Sequence, residues 1–274
     1  MGIYWIASYP KSGNTWVRAF IANLMAPEQP VPLNQIPNYV PSESAIGWYQ
    51  KTGCDLETLF KPSIEGARIR GQIQEKLEAM TGGRHLLMKT HNMLGAFDGV
   101  PLIRDDLTVG ALYIVRDPRD VAISVSKHFG ITLDEAIEFM AAPKAYTGGG
   151  KDKRSIFEHL GSWPDHVRSW TQADVPVFRY EDLLARPGDS FRRIAKLLGM
   201  DGKASTIERA IEAASFKNLQ AAEDRDGFLE ASGKSERFFR AGKAGGWREV
   251  LSDDQAARLA ALDEDLMKRF NYGP

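Results

Sequence analysis

Four short apolar segments, each ending in polar residues, constrain the possible fold most strongly. They are IYWIAS (3–8), HLLMKT (85–90), ALYIVR (111–116) and VPVFRY (175–180). Nearly continuous apolar strands are typical of a parallel sheet that is covered on both faces. Helical stretches lie between these segments. The sequence therefore predicts a doubly wound α/β fold, with a central parallel sheet flanked by helices.

The helical stretches are recognised by the spacing of their apolar residues and by the residues at their ends. In the stretch that begins at residue 117, Asp117 is the predicted N-cap and Pro118 the first helical residue. The segments predicted to be helical are NTWVRAFIANLM (14–25), DPRDVAISVSKHF (117–129), PGDSFRRIAKLLG (187–199) and SDDQAARLAALDEDLMKRF (252–270).

The length of the chain and its even composition bear on domain organisation. With 274 residues, no internal repeat and no compositional break, the chain is predicted to be a single domain spanning 1–274. Two segments that are rich in glycine and charge, 142–155 and 221–247, are predicted to be mobile loops. The second of these has few apolar residues to anchor it.

Charge and cysteine content narrow the expected partners and location. The net charge is −1, from 35 Lys and Arg against 36 Asp and Glu, so neither a nucleic acid nor a membrane partner is expected. Cys54 is the single cysteine, which fits a reducing compartment, and its polar surroundings argue against a catalytic role. The first residues, MGIYWIASYP, lack the basic segment of a signal peptide. A cytoplasmic location is therefore predicted.

The segment SYPKSGNTW (8–16) predicts an anion site directly after the first strand. Lys11, Ser12, Gly13, Asn14 and Thr15 place short donors and free backbone amides at the start of a helix, where the helix dipole favours negative charge. The loop of nucleotide triphosphatases has a different order, G-x-x-x-x-G-K-[ST]. Taken alone, the segment also fits a plain strand-to-helix turn.

A second cluster, RDPRDVAIS, follows the third strand and predicts a second anion site. Arg116 lies at the strand end and Ser124 about two helical turns later, so a guanidinium and a hydroxyl can face the same ligand. The alternative is that Arg116 pairs with Asp120, while Arg119 lies at the surface. Ligands of such folds bind beyond the carboxyl ends of the strands, where both clusters lie.

Three motifs in this order resemble a known family. YPKSGNTW, RDPRDVAIS and the late FFRAGKAGGW are similar to motifs of the soluble sulfotransferases that use 3′-phosphoadenosine 5′-phosphosulfate (PAPS) as donor and release PAP. The resemblance runs from the first strand to about residue 250. The stretch LGSWPDHVRSW followed by FRYEDLLARP, together with the chain length, resembles the bacterial branch that includes glycopeptide-antibiotic sulfotransferases.

The resemblance implies a P-loop-like phosphosulfate-binding loop and a role for each matching residue. Lys11 would reach the oxygen between phosphorus and sulfur, and Trp16 would stack on the adenine. Arg116 and Ser124 would bind the 3′-phosphate. The implied donor-binding residues are Lys11, Ser12, Gly13, Asn14, Thr15, Trp16, Arg116, Ser124, Tyr180, Phe216, Arg240, Ala241 and Gly242. The implied catalytic residues are Lys11, Lys89, His91 and Ser124, with Ser124 also holding Lys11 until the acceptor arrives.

The chain departs from the family pattern at two positions. The late motif usually reads R-K-G, whereas Ala241 takes the place of its lysine here. Lys243 is close enough in the chain to be expected to compensate for the lost charge. Ala214 stands where a threonine often bonds the adenine. Weaker or altered donor contacts are therefore predicted, with no loss of a group that the chemistry needs.

His91 is the predicted general base because imidazole titrates near neutral pH and the KTH segment ends a strand. The other histidines, His85, His128, His159 and His166, are interpreted as packing or surface residues. No metal is expected, since the sequence has no spaced ligand cluster. Asp117 is explained by its helix cap rather than by a magnesium ion.

The predicted function is transfer of a sulfuryl group from PAPS to a hydroxyl of a small-molecule or natural-product acceptor, an EC 2.8.2 type reaction by in-line displacement. One alternative is a magnesium-dependent kinase or nucleotide hydrolase with a modified phosphate loop. Another is a non-catalytic protein that binds PAP or a nucleotide. The acceptor is not specified by the sequence, and a homodimer is left open.

Overall fold

The four apolar segments identified in the sequence supply the strands of the central sheet. The structure is a computed structural model that describes residues 2–50, 53–149, 154–232, 237–240 and 242–273. Its strands are β1 (Gly2–Ser8), β2 (His85–Thr90), β3 (Ala96–Phe97), β4 (Val100–Pro101), β5 (Thr108–Val115), β6 (Tyr146–Thr147), β7 (Glu158–His159) and β8 (Val177–Arg179). The four main strands lie in the order β2-β1-β5-β8 in a parallel sheet, which confirms the predicted α/β class. The pairs β3–β4 and β6–β7 are antiparallel.

The strand order reverses at β1. The chain passes from β1 to β2 on one side and then to β5 on the other side of β1. Strands β1 and β2 pair from Gly2 opposite His85 to Ala7 opposite Thr90. In open α/β sheets, ligands bind beyond the carboxyl ends of the strands at such a reversal. The segments that follow β1 and β5 are the two predicted anion-binding segments.

Eleven helices and five short helical turns are found among the described residues. The helices are α1 (Asn14–Met25), α2 (Ile64–Ala79), α3 (Pro118–Phe129), α4 (Leu133–Ala141), α5 (Trp163–Thr171), α6 (Tyr180–Ala185), α7 (Pro187–Leu197), α8 (Ala204–Ala213), α9 (Phe216–Asp226), α10 (Asp253–Ala260) and α11 (Glu264–Arg269). The turns are Leu33–Asn38, Ile46–Trp48, Leu56–Leu59, Asp105–Leu107 and Gly246–Glu249. Within the described ranges, no helix combines the length and the apolar character needed to cross a bilayer.

The helix ends show where the sequence predictions hold and where they do not. Asp117 accepts a hydrogen bond from the Arg119 amide at 2.9 Å and Pro118 begins α3, as predicted. The single helix predicted over 252–270 is wrong, because it is divided into α10 and α11. Asp263 caps α11 by accepting from the Leu266 amide at 3.0 Å, and this cap starts a new helix within a continuous apolar pattern.

The segments predicted to be mobile contain ordered elements in their described parts. In the first, β6 and β7 pair, and residues 150–153 lie outside the described residues. In the second, α9 continues to Asp226, and residues 233–236 and 241 lie outside the described residues. The aromatic rings of Phe228 and Phe238 lie 4.9 Å apart, which corrects the view that few apolar side chains anchor this segment. Mobility itself stays a prediction.

The chain groups into two compact units. The first comprises Met1–Tyr9, Pro41–Tyr113 and Phe139–Val177, and the second comprises Pro10–Val40, Ile114–Glu138 and Phe178–Pro274. Each is described separately below. The assignment of 1–274 to a single domain stays a prediction.

The first unit contains a buried ion pair. Glu43 and Arg70 form it with fully buried side chains. The Tyr49 hydroxyl donates to Glu43 Oε1 at 2.8 Å, and Arg70 also donates to the main-chain carbonyl of Phe157. The Arg70 guanidinium lies 4.9 Å from the Phe157 ring centroid. These partners replace the water that both charges lose on burial.

In the second unit, Arg119 ties the C-terminal segment to the start of α3. Its guanidinium pairs with Asp117 at 2.8 Å and donates to the carbonyls of Tyr272 and Gly273 at 3.2 and 2.7 Å. It also stacks 3.8 Å from the ring centroid of Trp247. Arg119 is only 3% exposed, so its interpretation as a surface residue is wrong.

Replacing Arg70 by alanine should strongly destabilise the protein. The Glu43 carboxylate would be left buried without its counter-charge, a loss of about 3–5 kcal/mol in the free energy of unfolding. Urea unfolding measures this difference. The matched control is Arg104→Ala, because the ion pair of Arg104 with Asp106 is exposed and should change stability little. Equal effects of the two substitutions would contradict the structural role of the buried pair.

Candidate functional site

In the first unit, His91 is held in one tautomer. It follows β2 directly, and its Nδ1 lies 2.7 Å from the carbonyl oxygen of Ser8. A carbonyl can only accept, so Nδ1 carries the proton and Nε2 keeps its lone pair. The side chain is half-buried. This is the tautomer that allows Nε2 to act as a proton acceptor.

Burial and the neighbouring Lys89 keep the His91 ring neutral. The His91 amide donates to Glu158 Oε1 at 2.9 Å, and Lys89 Nζ lies 3.3 Å from the same oxygen. Burial, and then the charge of Lys89, lowers the pKa of His91 to about 3. Burial alone would raise the pKa of Glu158, but Lys89 and His91 outweigh it and lower this pKa to about 2. Glu158 is therefore a carboxylate, and His91 is neutral at neutral pH.

In the second unit, the loop before α1 has the backbone that a close anion contact needs. Gly13 adopts a φ of 104°, and a Cβ placed on it would lie 2.6 Å from the Tyr180 ring. Lys11 has a positive φ of 67°, which is rare for a residue with a side chain. The Ser12 hydroxyl is fully buried, and within the described ranges it has no hydrogen-bond partner. A buried donor without a partner fits an anionic ligand at this loop.

The ammonium group of Lys11 has two neighbours that the sequence did not indicate. Nζ lies 3.6 Å from the Phe238 ring centroid and 3.5 Å from Nδ1 of His128. Burial, followed by the charge of Arg116, lowers the pKa of Lys11 to about 7. His128 therefore belongs to the surroundings of Lys11, which corrects its interpretation as a packing or surface residue.

Arg116 joins the first loop, residues 9–13, to the late loop, which is the described part of FFRAGKAGGW (238–247). Its two terminal nitrogens donate to the carbonyl oxygens of Lys11 and Lys243, each at 3.2 Å. Its guanidinium lies 4.2 Å from the Tyr180 ring centroid. Its Nε is buried and has no partner among the residues that the structure describes. The alternative pairing with Asp120 is wrong, because the guanidinium is held by main-chain carbonyls.

Two acidic residues hold the late loop through its main chain. The Asp120 carboxylate accepts from the amides of Gly245 and Trp247 at 2.7 and 3.0 Å. The Glu223 carboxylate accepts from the amides of Phe238 and Phe239 at 2.6 and 2.8 Å. Both carboxylates are buried. These acids are used on loop amides, and among the residues that the structure describes neither forms an ion pair with a basic side chain.

The aromatic residues proposed for the adenine form two groups. The Trp16 ring centroid lies 5.8 Å from that of Tyr180 and 5.3 Å from that of Phe191. In the other group, Gly242 has a φ of 56°, and a Cβ on it would lie 2.5 Å from the Phe216 ring. The structure thus brings together Trp16 with Tyr180 and Phe216 with Gly242.

Other predicted residues are not drawn into these contacts. Ser124 is half-buried on α3, and no hydrogen bond among the described residues joins its hydroxyl to Lys11. Arg240 is exposed, and Ala241 lies outside the described residues. The Lys243 ammonium pairs with Glu249 at 2.8 Å, so its expected compensation for Ala241 is not seen. Asn14 and Thr15 begin α1, with Asn14 buried.

Sequence reasoning missed several residues of these sites. Glu158 lies in the apolar segment SIFEHL, and an acid in a buried strand needs a cationic partner, which was a usable signal. His128 follows Ser124 by four residues and so shares its helix face. Glu223 lies in a charged stretch that carries no comparable signal. No group of three His, Cys, Asp or Glu side chains that could hold a metal occurs in the described part of the chain, and the expectation of no metal stays a prediction.

The comparisons with known proteins bear on these features. A family model described as Sulfotransferase domain matches residues 3–271. The chain belongs to the sulfotransferase family. Among curated relatives, cytosolic sulfotransferase 17 of Arabidopsis thaliana is 22% identical over 97% of this chain and 74% of its own length. Flavonol 4′-sulfotransferase of Flaveria chlorifolia is 25% identical over 95% of this chain and 78% of its own.

Solved structures agree with the sulfotransferase fold. Retinol dehydratase in a complex with retinol and PAP has a TM-score of 0.66 at 20% identity, covering 97% of this chain and 81% of that one. A mouse sulfotransferase complexed with PAP has a TM-score of 0.60 at 20% identity, covering 97% and 84%. The family supports sulfuryl transfer to hydroxyl acceptors and gives the kinase hypothesis no support. The predicted resemblance is confirmed, while its bacterial branch stays a prediction.

Replacing Gly13 by alanine in this sulfotransferase should weaken PAP binding. The new methyl group would clash with Tyr180 and move either that ring or the loop. The control is Gly199→Ala, since Gly199 also has a positive φ of 66° but no atom within 4 Å of the position that a methyl group would take. Both substitutions carry a strain of about 1–2 kcal/mol from the left-handed conformation.

The melting temperature with and without PAP separates the two effects. Both variants should melt below the natural protein, while only Gly13→Ala should lose the stabilisation by PAP. Undiminished stabilisation of Gly13→Ala by PAP would contradict the assignment of the loop to the donor.

Proposed function

We propose that this sulfotransferase transfers the sulfuryl group of PAPS to a hydroxyl of a small-molecule alcohol or phenol. The observation that best supports this donor is the position of Arg116. Its terminal nitrogens bridge the carbonyls of Lys11 and Lys243, and its buried Nε has no partner among the described residues. A guanidinium with a free N–H is suited to a phosphate. The 3′-phosphate is the group that distinguishes PAPS from ATP.

The residues of the second unit offer a contact for each part of the donor. The Ser12 hydroxyl and the first amides of α1 would hold the 5′-phosphosulfate. Trp16, Tyr180 and Phe216 would contact the adenine. PAPS, when bound, supplies the activated sulfuryl group for the transfer. The fully buried Ser12 oxygen supports this fit, because the loop would otherwise leave it without a hydrogen bond.

His91 is the proposed general base. Its neutral ring has Nδ1–H on the Ser8 carbonyl, so Nε2 is the atom that accepts the proton of the acceptor hydroxyl. Assistance of this kind contributes about 10²–10⁴-fold to the rate. The acceptor oxygen forms its bond to sulfur as the bridging oxygen leaves. Lys89 is proposed to act beside the base. Its Nζ is held 3.3 Å from Glu158 Oε1.

Lys11 is proposed to balance the negative charge that develops on the leaving phosphate. Only its protonated form can do so, and in the free protein burial and Arg116 lower its pKa to about 7. The negative charge of the donor favours the ammonium form, so binding raises this pKa and takes up a proton. The negative charges of Glu230 and Glu223 also act to raise the pKa of Lys11.

The tautomer of His91 and the names of relatives bear on the remaining assignments. A non-catalytic PAP-binding protein would have no use for the neutral base tautomer of His91. Relatives whose names include flavonol and 3-alpha-hydroxysteroid acceptors suggest a phenol or an alcohol as acceptor class. A cytoplasmic location is proposed from relatives named cytosolic and from the single cysteine.

Stability measurements with PAP, AMP, and ATP plus Mg²⁺ test the donor. A ligand that binds only the folded protein raises its melting temperature. PAP should stabilise the natural protein much more than AMP, and Arg116→Ala should lower PAP affinity by about 10–100-fold with AMP little affected. Arg192→Ala, an exposed arginine on α7, is the matched control. Stabilisation by ATP with Mg²⁺ equal to that by PAP would contradict the proposal, as would an absence of sulfate transfer from PAPS to any alcohol or phenol tested.

The affinity for PAP should fall as the pH rises above neutrality. Because the pKa of Lys11 in the free protein is about 7, the lysine is increasingly uncharged at higher pH and must take up a proton to bind the anion. Between about pH 7.5 and 9.5 the phosphates are already ionised, so they contribute little to the change. Titration calorimetry measures this slope. Lys11→Arg should flatten it because arginine stays charged, and equal slopes for both proteins would contradict the role of Lys11.

A further inference from the structure

Hydrogen bonds in the first unit hold His91 from two sides. His91 Nδ1 lies 2.7 Å from the Ser8 carbonyl oxygen. The carbonyl oxygen of His91 lies 3.0 Å from His166 Nε2. His166 Nδ1 in turn lies 2.9 Å from the Tyr113 hydroxyl. His91 is therefore held by its side chain and by its main chain.

Only one arrangement of protons satisfies these hydrogen bonds. The His91 carbonyl can only accept, so His166 must carry its proton on Nε2. In the neutral imidazole, His166 Nδ1 then accepts from the Tyr113 O–H. The Ser8 carbonyl in turn requires the proton of His91 on Nδ1. The Tyr113 and His166 donors point the same way along the chain to the His91 carbonyl, and aligned hydrogen bonds polarise one another.

Burial keeps these protonation states fixed. Tyr9, Tyr113 and His166 are each 0% exposed. Burial raises the pKa of Tyr113 well above its ordinary value and lowers that of His166 to about 4, so the first stays a hydroxyl and the second stays neutral. Packing restrains the rings as well. The Tyr113 ring stacks on Trp170 with 6.1 Å between centroids, and the Tyr9 and His166 rings lie at 85° to each other with 5.3 Å between centroids.

We propose that Tyr113 and His166 are positioning residues for the base. They orient the His91 peptide, and with it the approach of the His91 ring to the Ser8 carbonyl that selects the Nδ1–H tautomer. This inference rests on the proposed role of His91 and extends it to two residues that touch neither substrate. The sequence alone gives His166 only the interpretation of a packing or surface residue.

Variants that keep the volume but change the hydrogen bonds separate this role from packing. His166→Gln retains both functions, because its amide nitrogen can donate to the His91 carbonyl and its amide oxygen can accept from Tyr113. His166→Phe keeps a ring but neither bond. Tyr113→Phe keeps its ring and loses only the hydroxyl. His159→Phe is the matched control, since His159 is buried in the same unit and its Nδ1 has no partner among the described residues.

Steady-state kinetics should show a lower kcat and an unchanged KM for the donor. His166→Phe and Tyr113→Phe should each lower kcat by about tenfold, the effect of losing a net stabilising hydrogen bond in a buried network. His166→Gln should stay within about threefold of the natural protein, and His159→Phe should show no comparable loss. The KM for PAPS and the stabilisation by PAP should not change, because the proposed donor contacts lie in the second unit.

The tautomer of His91 provides a readout that does not depend on activity. Nitrogen NMR of histidine-labelled protein should show His91 with its proton on Nδ1 and His166 with its proton on Nε2. The His91→Ala protein assigns the first set of signals. Tyr113→Phe removes the hydroxyl that holds the His166 ring against the His91 carbonyl, so that ring can turn, the His91 peptide loses its orientation, and both histidines should show mixed tautomers.

The possible outcomes separate this proposal from the proposed function. If His166→Gln is as slow as His166→Phe, or if Tyr113→Phe keeps full kcat and a single His91 tautomer, the positioning role is wrong even though the protein is active. If His91→Ala retains the rate of the natural protein, the proposed base is wrong. If His166→Phe does not fold, the Tyr113→Phe results decide. Failure of the natural protein to bind PAP would instead overturn the donor assignment.

Discussion

The parallel register between β1 and β2 is the constraint on which the proposed base depends. Because Ala7 lies opposite Thr90, the next residues on the two strands are Ser8 and His91, and the histidine ring can reach the Ser8 carbonyl. A shift of one residue would turn every side chain of one strand to the other face of the sheet. The buried side chains of β1 therefore fix the position of His91 as well as the core. Apolar packing thus sets the distance between the His91 ring and the Ser8 carbonyl.

The second unit concentrates positive charge in a chain that is almost neutral overall. Lys11 and Arg116 are near neighbours, and each is held by groups that do not neutralise it: an aromatic ring for Lys11, carbonyl oxygens and a ring for Arg116. The nearby acids, Asp120 and Glu223, bind main-chain amides. An anion can therefore be attracted locally, although the net charge is −1.

Local patterns predicted the elements that depend on local physics. The apolar strands, the Asp117 cap and the glycine before α1 were visible because burial, capping and a positive φ each require particular residue types nearby. The break at Asp263 was not, because the apolar periodicity continues through it. The surroundings of the base were also missed, since Glu158 and His166 meet His91 only after folding, across 67 and 75 residues.

The two acids that fix the late loop bind its main-chain amides and not its side chains. Glu223 binds the amides of Phe238 and Phe239, and Asp120 binds those of Gly245 and Trp247. Every amino acid except proline presents such an amide. These four contacts therefore make no demand on the side chains of the residues that donate them, whereas Gly242 is required by its φ of 56° and by the Phe216 ring beside it. A substitution at Phe238, Phe239 or Trp247 by any residue but proline would leave the amide contact with its acid intact, so that backbone anchoring and side-chain recognition are separable in this loop.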